Sequence, residues 1–202
     1  GRMLIRLQGT AYNMRPNTAA IAKDAEQINR GFLDWLSVHP DRPFFAFLNF
    51  MDAHDPYITP PTFDRHFGLT PESPEEVQFL RDWFARSKDD LTDRQRTLIR
   101  DAYDDCLSYL DEQLDRLFRE LERRGILENT LVVLTADHGE HLGERGFFGH
   151  SLSLYRPEVR VPLLILAPSR VPADRIVAEP VSLRDVPTTI VDLLGLADGS
   201  PF

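Results

Sequence analysis

Cysteine is almost absent from this chain of 202 residues, in which Cys106 is the single example. One thiol excludes an internal disulfide framework and any metal cluster built on several thiolates. Cys106 falls on the apolar stripe of a predicted helix, and we interpret it as a core residue. The sequence also shows no charged-then-apolar leader, so we make no localisation prediction and leave a periplasmic or secreted location open for the whole protein.

Positive charge is scarce as well. The chain has 23 basic against 32 acidic side chains and a net charge of −9. Lys23 and Lys88 are its only lysines. A surface of this sign repels a phosphate backbone, and we therefore expect no nucleic acid partner.

Long apolar runs are missing too. The longest covers residues 44–51, is interrupted by Asn49, and falls far below the roughly 20 residues that cross a bilayer. We predict no membrane segment. With 42% hydrophobic residues the chain suits one globular domain over residues 1–202, in which the polar, proline-bearing stretch 59–91 is a surface excursion near the substrate side.

Apolar spacing predicts the secondary structure. Positions at i, i+3 and i+4 favour helices, and short continuous apolar runs favour strands that are buried on both faces. Alternation of the two indicates an α/β fold: a layered mixed, largely parallel sheet with helices on both faces. The predicted helices cover residues 18–38, 75–86, 92–125 and 185–194, and the predicted strands cover 44–50, 130–136 and 161–166.

Histidines and carboxylates follow two of these strands. In such sheets ligands bind beyond the carboxyl ends of the strands, so we expect the two loops to meet there. Asp137 and His138 can together bind a divalent cation, although an exposed helix start is an alternative for this pair. His54, before Asp55-Pro56-Tyr57, suits donation of a proton to an anion, and His150 suits a second anion contact; either is also compatible with an ordinary loop histidine. We interpret Glu140, His141 and Glu144 as a solvated rim.

Taken together, these motifs resemble a known family. Residues 131–143, with the runs at 149–150, 154–155 and 160–163, look like the second half of the sulfatase catalytic domain, in the alkaline phosphatase superfamily. The segment 44–61 resembles the part of that family that carries a histidine in contact with substrate. The resemblance runs in order from about residue 17 to residue 197.

The resemblance implies a sulfuric ester hydrolase that acts on a small-molecule or carbohydrate sulfate ester. A divalent cation, usually calcium, would be held in part by Asp137 and His138, polarising the sulfate oxygens. His54 would contact the transferred group or protonate the leaving oxygen. His150 stands where many sulfatases place a lysine that binds the sulfate. The resemblance says nothing about the oligomeric state.

Two family features are missing from the chain. The family's nucleophile is a formylglycine made within a Cys/Ser-x-Pro/Ala-x-Arg motif, and no such motif occurs here. An early pair of metal-binding aspartates is also missing. We therefore expect the chain to be the C-terminal portion of the catalytic domain, incomplete at the N-terminus, and inactive alone; formylglycine would lie in the N-terminal segment.

Other functions stay open at this point. The nitrogen of His138 shifts metal preference from calcium towards manganese or zinc. An Asp-His pair also occurs in phosphonate monoester hydrolases, phosphodiesterases and phosphoethanolamine transferases of the same superfamily. An alternative of another class is a non-catalytic, sulfatase-like binding module. That alternative gains support if the upstream sequence lacks both the aspartate pair and a formylglycine motif.

Overall fold

The computed structural model describes residues 4–7 (backbone only), 23–40, 42–151, 153–168 and 170–196. The chain divides into two compact units, and each is described by itself. The first unit comprises Gly1–Leu117 and Leu142–Gly149, and the second comprises Phe118–His141 and His150–Phe202. None of the helices in the described ranges is both long and apolar enough to cross a bilayer.

The first unit contains one parallel strand pair and three helices. Strands β1 (Leu4–Leu7) and β2 (Phe45–Leu48) pair with Leu4 opposite Phe45. Its helices are α1 (Ala25–Val38), α2 (Pro74–Asp82) and α3 (Asp93–Arg123), and α3 belongs to this unit as far as Leu117. Two strands of two residues each follow, β4 (His141–Leu142) and β5 (Phe148–Gly149), and His141 is assigned to the second unit.

Helix α1 begins later than its apolar spacing predicts. Asp24 is extended and its carboxylate accepts a hydrogen bond from the Gln27 N–H at 2.8 Å, which caps the helix at Ala25. Of the predicted stretch 18–38, residues 18–22 lie outside the described residues. The N-cap therefore determines the residue at which the helix begins, and the spacing of apolar residues does not predict that residue.

Helix α3 is capped at both ends. Thr92 and Gln95 form a reciprocal capping box, with the Gln95 N–H donating to Thr92 Oγ1 and the Thr92 N–H donating to Gln95 Oε1. At the other end Gly125 has φ +66°, and the Ile126 N–H donates to the Leu121 carbonyl at 2.9 Å. The helix ends there because a left-handed residue breaks the ladder, and glycine adopts that conformation without strain.

The core of the first unit forms around the first half of α3. Trp83, in the 3₁₀ turn after α2, is 1% exposed and packs among a cluster that includes Cys106. The prediction that Cys106 is a core residue is confirmed. The apolar members of the cluster are Tyr57, Phe79, Leu80, Trp83, Leu91, Leu98, Ile99, Ala102, Cys106 and Phe148.

Two carboxylates of α3 anchor the start of the stretch 59–91. Asp105 is fully buried and accepts hydrogen bonds from Arg65 Nε at 2.6 Å and from the backbone of His66 and Phe67. One helical turn earlier, Asp101 accepts the Leu69 N–H. The stretch is therefore tied down by charge-assisted hydrogen bonds. Its place near the substrate stays a prediction.

The second unit is built on an antiparallel strand pair. Strand β3 (Val132–Thr135) pairs with strand β6 (Leu163–Leu166), with Val132 opposite Leu166. Helix α4 (Arg156–Val159) precedes β6, and helix α5 (Val186–Leu193) follows a 3₁₀ turn capped by Ser182.

The predicted mixture of helices and strands is confirmed, but the described strands do not form the predicted sheet. The described strands form sheets of two strands only: β1 pairs with β2 in parallel, β3 pairs with β6 antiparallel, and β4 pairs with β5. The prediction that the strands are buried on both faces is also wrong for these residues. Phe45, Phe47 and Leu164 are 47%, 55% and 57% exposed, since alternate side chains point away from the covered face.

Candidate active site

The first predicted site residue, His54, lies in a loop that an aromatic cluster holds. We call residues 52–57, in the loop after β2, the His54 corner. Tyr57 is 2% exposed, and its ring centroid lies 5.2 Å from that of Trp83 and 5.1 Å from that of Tyr103. This packing fixes the chain three residues beyond His54.

The ring of His54 is oriented by its neighbour Asp55. His54 Nδ1 lies 2.8 Å from the carbonyl oxygen of Asp55 and 2.8 Å from its carboxylate Oδ1. Both oxygens are acceptors, so Nδ1 carries a hydrogen.

Asp52 begins the His54 corner and carries an unusual carboxyl group. Its Oδ1 accepts the Ala25 N–H at 3.0 Å, whereas its Oδ2 is buried without a hydrogen-bond partner. The pKa of Asp52 is raised to about 6, mainly by burial, which outweighs the lowering effect of the Ala25 N–H; the nearby charge of Asp24 contributes to the rise. The cause is the cost of taking a carboxylate out of water.

In the second unit, Asp137 and His138 form a pair of candidate metal ligands just after β3. His138 Nδ1 lies 2.9 Å from the Gly139 carbonyl oxygen, which can only accept, so Nδ1 carries the hydrogen. The other ring nitrogen, Nε2, lies 3.7 Å from Asp137 Oδ1 and is the atom that can bind a metal. A backbone contact of this kind fixes the tautomer of metal-binding histidines.

The donor set fits part of a divalent metal site. Protein ligands lie at about 2.0–2.6 Å from Zn²⁺ or Ca²⁺, so a separation of 3.7 Å lets one ion reach both atoms. The Asp137 side chain is 91% exposed and thus accessible to an ion. Two donors are fewer than the four to eight or so that such ions take, and the pair therefore fits as part of a larger set.

His150 lies directly against His138. The two imidazole rings stack with centroids 4.2 Å apart and planes 29° apart. His150 Nδ1 lies 3.2 Å and 3.3 Å from the two carboxylate oxygens of Glu140, which orient the ring. The second unit thus brings together three of the four predicted site residues. His54 belongs to the first unit, and its meeting with the others stays a prediction, as do the roles of all four.

Gly139 is required by packing. Its φ is not positive, but a Cβ at this position would lie 2.0 Å from the carbonyl oxygen of Pro157. The Gly139 N–H also donates to the carbonyl oxygen of Glu158 at 2.7 Å. The turn that carries His138 therefore lies directly against the backbone of residues 157–158, an approach that only glycine permits.

Sequence reasoning missed a buried network beside these residues. The prediction of a solvated rim is wrong for Glu140, whose side chain is 6% exposed, and for His141, which is fully buried; Glu144 is exposed as predicted. His141 Nε2 lies 2.8 Å from Ser153 Oγ, and that hydroxyl donates to Glu158 Oε2. No motif marks Ser153 or Glu158, because the contacts that join them form only in the folded chain.

Comparison with known proteins now identifies the family. The sulfatase family profile matches residues 8–196. The chain belongs to the sulfatase family. It is 31% identical over 169 residues to choline-sulfatase from Rhizobium meliloti (strain 1021), a match that covers 77% of this chain and 32% of that protein. A sulfatase from Formosa agariphila is 26% identical over 204 residues, covering 93% of this chain and 39% of its own length.

A solved structure supports the fold of this sulfatase chain. The phosphonate monoester hydrolase of Agrobacterium radiobacter superposes with a TM-score of 0.57 at 24% identity, over 79% of this chain and 37% of that one. The predicted membership of the alkaline phosphatase superfamily is confirmed. The chain spans about a third of the length of curated relatives that it matches.

Proposed function

We propose that the protein containing this chain hydrolyses sulfate esters with the help of a divalent cation held in part by Asp137 and His138. Family membership supports the class of reaction. The observation that carries the proposal is the distance of 3.7 Å between His138 Nε2 and Asp137 Oδ1. Because Nδ1 of the same ring donates to the Gly139 carbonyl, Nε2 is the ring nitrogen that can bind a metal. When bound, the cation would supply Lewis-acid stabilisation of the anionic oxygens.

The chain's own residues would handle charge and protons. His150, oriented by Glu140, would donate from its protonated ring to a sulfate oxygen. His54, oriented by Asp55, would donate a proton to the leaving oxygen. The nucleophile would be a formylglycine elsewhere in the complete protein, and calcium would be the cation, with manganese or zinc as the alternatives.

A phosphorus ester is the second candidate substrate. His138 supplies a nitrogen ligand, and nitrogen shifts metal preference from calcium towards manganese or zinc. An Asp-His pair also occurs in the phosphonate monoester hydrolases, phosphodiesterases and phosphoethanolamine transferases of the same superfamily, and these are the alternative functions. The substrate itself would be a small-molecule or carbohydrate ester in either case.

The test measures hydrolysis of an aryl sulfate and an aryl phosphonate monoester by the complete protein, with Ca²⁺, Mn²⁺ or Zn²⁺ added after chelation. We expect His138→Ala to lower kcat/KM by more than about 100-fold, because even outer-shell partners of a metal contribute about 10–100-fold. His39→Ala is the matched control, since His39 stacks on Trp35 at the end of α1. Full activity after chelation would contradict the metal role.

The ratio of the two rates decides between the substrate classes. Faster turnover of the sulfate supports the first candidate, and faster turnover of the phosphonate supports the second. A protein inactive on both esters with every cation contradicts the hydrolase proposal and favours a non-catalytic, sulfatase-like module.

A further inference from the structure

Glu158 binds the chain just after His150 through its side chain. Its carboxylate accepts the Ser151 N–H through Oε1. Oε2 accepts the Ser153 N–H at 3.0 Å and the Ser153 hydroxyl at 3.1 Å. Ser151 has a φ of +65°, a conformation that costs energy for a residue with a side chain, so these contacts hold a backbone that would otherwise relax.

The same residue binds the chain just after His138 through its backbone. The Glu158 carbonyl accepts the Gly139 N–H at 2.7 Å, and Gly139 is in such close contact with Pro157 that no Cβ fits. Residue 158 is therefore the shared partner of two segments that are distant in sequence. One segment carries His138 at its edge, and the other carries His150.

The environment of Glu158 makes these contacts strong. The residue is 8% exposed, so its hydrogen bonds form with little competition from water. His141, fully buried, places Nε2 at 3.6 Å from Glu158 Oε2 and at 2.8 Å from the hydroxyl of Ser153. Burial by itself raises the pKa of Glu158, but the donors of Ser153 and Ser151, with His141, outweigh burial and hold the pKa below its usual value.

We propose that Glu158 is a positioning residue that sets the spacing between the imidazole rings of His138 and His150. The 4.2 Å stack depends on where the chain leaves each histidine, and residue 158 fixes both departures. This inference rests on the proposed function, in which His138 binds the cation and His150 the anion. The spacing of the two rings then sets the distance between cation and oxyanion contacts.

The first variant is Glu158→Gln in the complete protein. The amide keeps the volume but presents an N–H₂ group to the Ser151 or Ser153 N–H, where two donors oppose each other. We expect kcat to fall about 10–100-fold with a smaller change in KM, as for outer-shell partners of a metal site. We also expect faster hydrogen exchange at the Ser151 and Ser153 amides and weaker binding of Mn²⁺, measured by electron paramagnetic resonance.

The matched control is Asp185→Asn. Asp185 also accepts a backbone N–H, that of Ser182, and lies in the same unit outside this network. It reproduces the loss of a carboxylate acceptor without touching either histidine segment. We expect it to leave kcat and Mn²⁺ affinity unchanged. Equal losses in Glu158→Gln and Asp185→Asn would overturn the proposal, as would a Glu158→Gln variant with lost amide protection and unchanged kcat and Mn²⁺ affinity.

Ser153→Ala is the second variant and covers a failure of Glu158→Gln to fold. It removes the hydroxyl between Glu158 and His141 but keeps both backbone donors. We expect a kcat loss of about 2–10-fold with native thermal stability, a smaller share of the outer-shell effect because one of three donors is removed. An unchanged kcat in this variant contradicts the proposal.

Failure of the function and failure of the inference give different results. If the unsubstituted protein hydrolyses no ester, the proposed function fails. Exchange at the Ser151 and Ser153 amides and Mn²⁺ affinity then still decide whether Glu158 fixes the two segments. If the unsubstituted protein is active and neither variant changes kcat, the inference alone fails.

Discussion

The His54 corner and the segments around His138 and His150 are held by different interactions. The His54 corner depends on aromatic packing, because Tyr57 lies buried between Trp83 and Tyr103. The segments around His138 and His150 depend on hydrogen bonds that converge on Glu158. Apolar packing is non-directional and loses energy in proportion to removed volume, whereas a buried polar network fails when one atom changes. The His54 corner should therefore be sensitive to the volume of the buried side chains. The segments around His138 and His150 should be sensitive to the loss of a single hydrogen-bonding atom.

The largest expected effect is on the packing side of this comparison. Trp83→Ala removes a side chain that is 1% exposed, and we expect a loss of about 3–5 kcal/mol in the free energy of unfolding of the first unit. Phe84→Ala, in the same 3₁₀ turn but 48% exposed, is the control and should cost much less. Urea denaturation of both variants, followed by far-ultraviolet circular dichroism, measures the two losses. Similar losses would show that the turn is not part of the core.

The next effect is on the close approach in the second unit. Gly139→Ala places a Cβ 2.0 Å from a backbone oxygen, so the main chain itself would have to shift, and we expect the variant to cost about 1–3 kcal/mol in the free energy of unfolding. Gly31→Ala is the control, because nothing lies within 4 Å of its Cβ position in α1. That variant should stabilise by about 0.5–1 kcal/mol. A neutral Gly139→Ala in thermal denaturation would contradict the packing account.

The smallest effect is on charge in the His54 corner. The folded pKa of Asp52, about 6, lies above its ordinary value of 3.8, so its contribution to stability is complete only well below pH 3.8 and is lost as pH rises through 6. Asp52→Asn keeps an oxygen for the Ala25 N–H and removes the charge. We expect the variant to be more stable than the unsubstituted protein by about 1–2 kcal/mol at pH 7, after allowance for partial solvent access.

At about pH 3 the two proteins should be nearly equally stable, because Asp52 is then mostly neutral in both the folded and the unfolded state. Urea titrations at about pH 3 and pH 7 measure the difference. A stabilisation that is the same at both pH values would show that the carboxylate charge is not its source.

Local signals predicted much of the fold. The capping box at Thr92, the glycine end at Gly125 and the core position of Cys106 are encoded within a few residues of each feature. Strand direction is not encoded in this way. The apolar runs of β3 and β6 read alike in parallel and antiparallel sheets, so the antiparallel pairing was not predictable from them.

The residues of the candidate site likewise divide into those that local sequence predicts and those that only tertiary contacts define. Asp137, His138 and His150 stand out because histidine and aspartate after a buried strand are unusual, and the second unit does bring these three together. Glu158 and Ser153 gave no signal, since an acid after a proline reads as a solvated helix start. Their role arises only when the segments at 139 and 151 fold onto residue 158.

The anchoring of Leu69 by Asp101 has an evolutionary consequence. A Cβ at Gly68 would lie 2.2 Å from Asp101 Oδ2, so the glycine and the acid restrict each other. Homologues that retain an acid at 101 should keep glycine at 68. Homologues that have lost the acid lose this clash, and only the φ of +30° at position 68 then still favours glycine. Covariation at this pair of positions would trace which lineages kept the same loop anchor as the chain diverged.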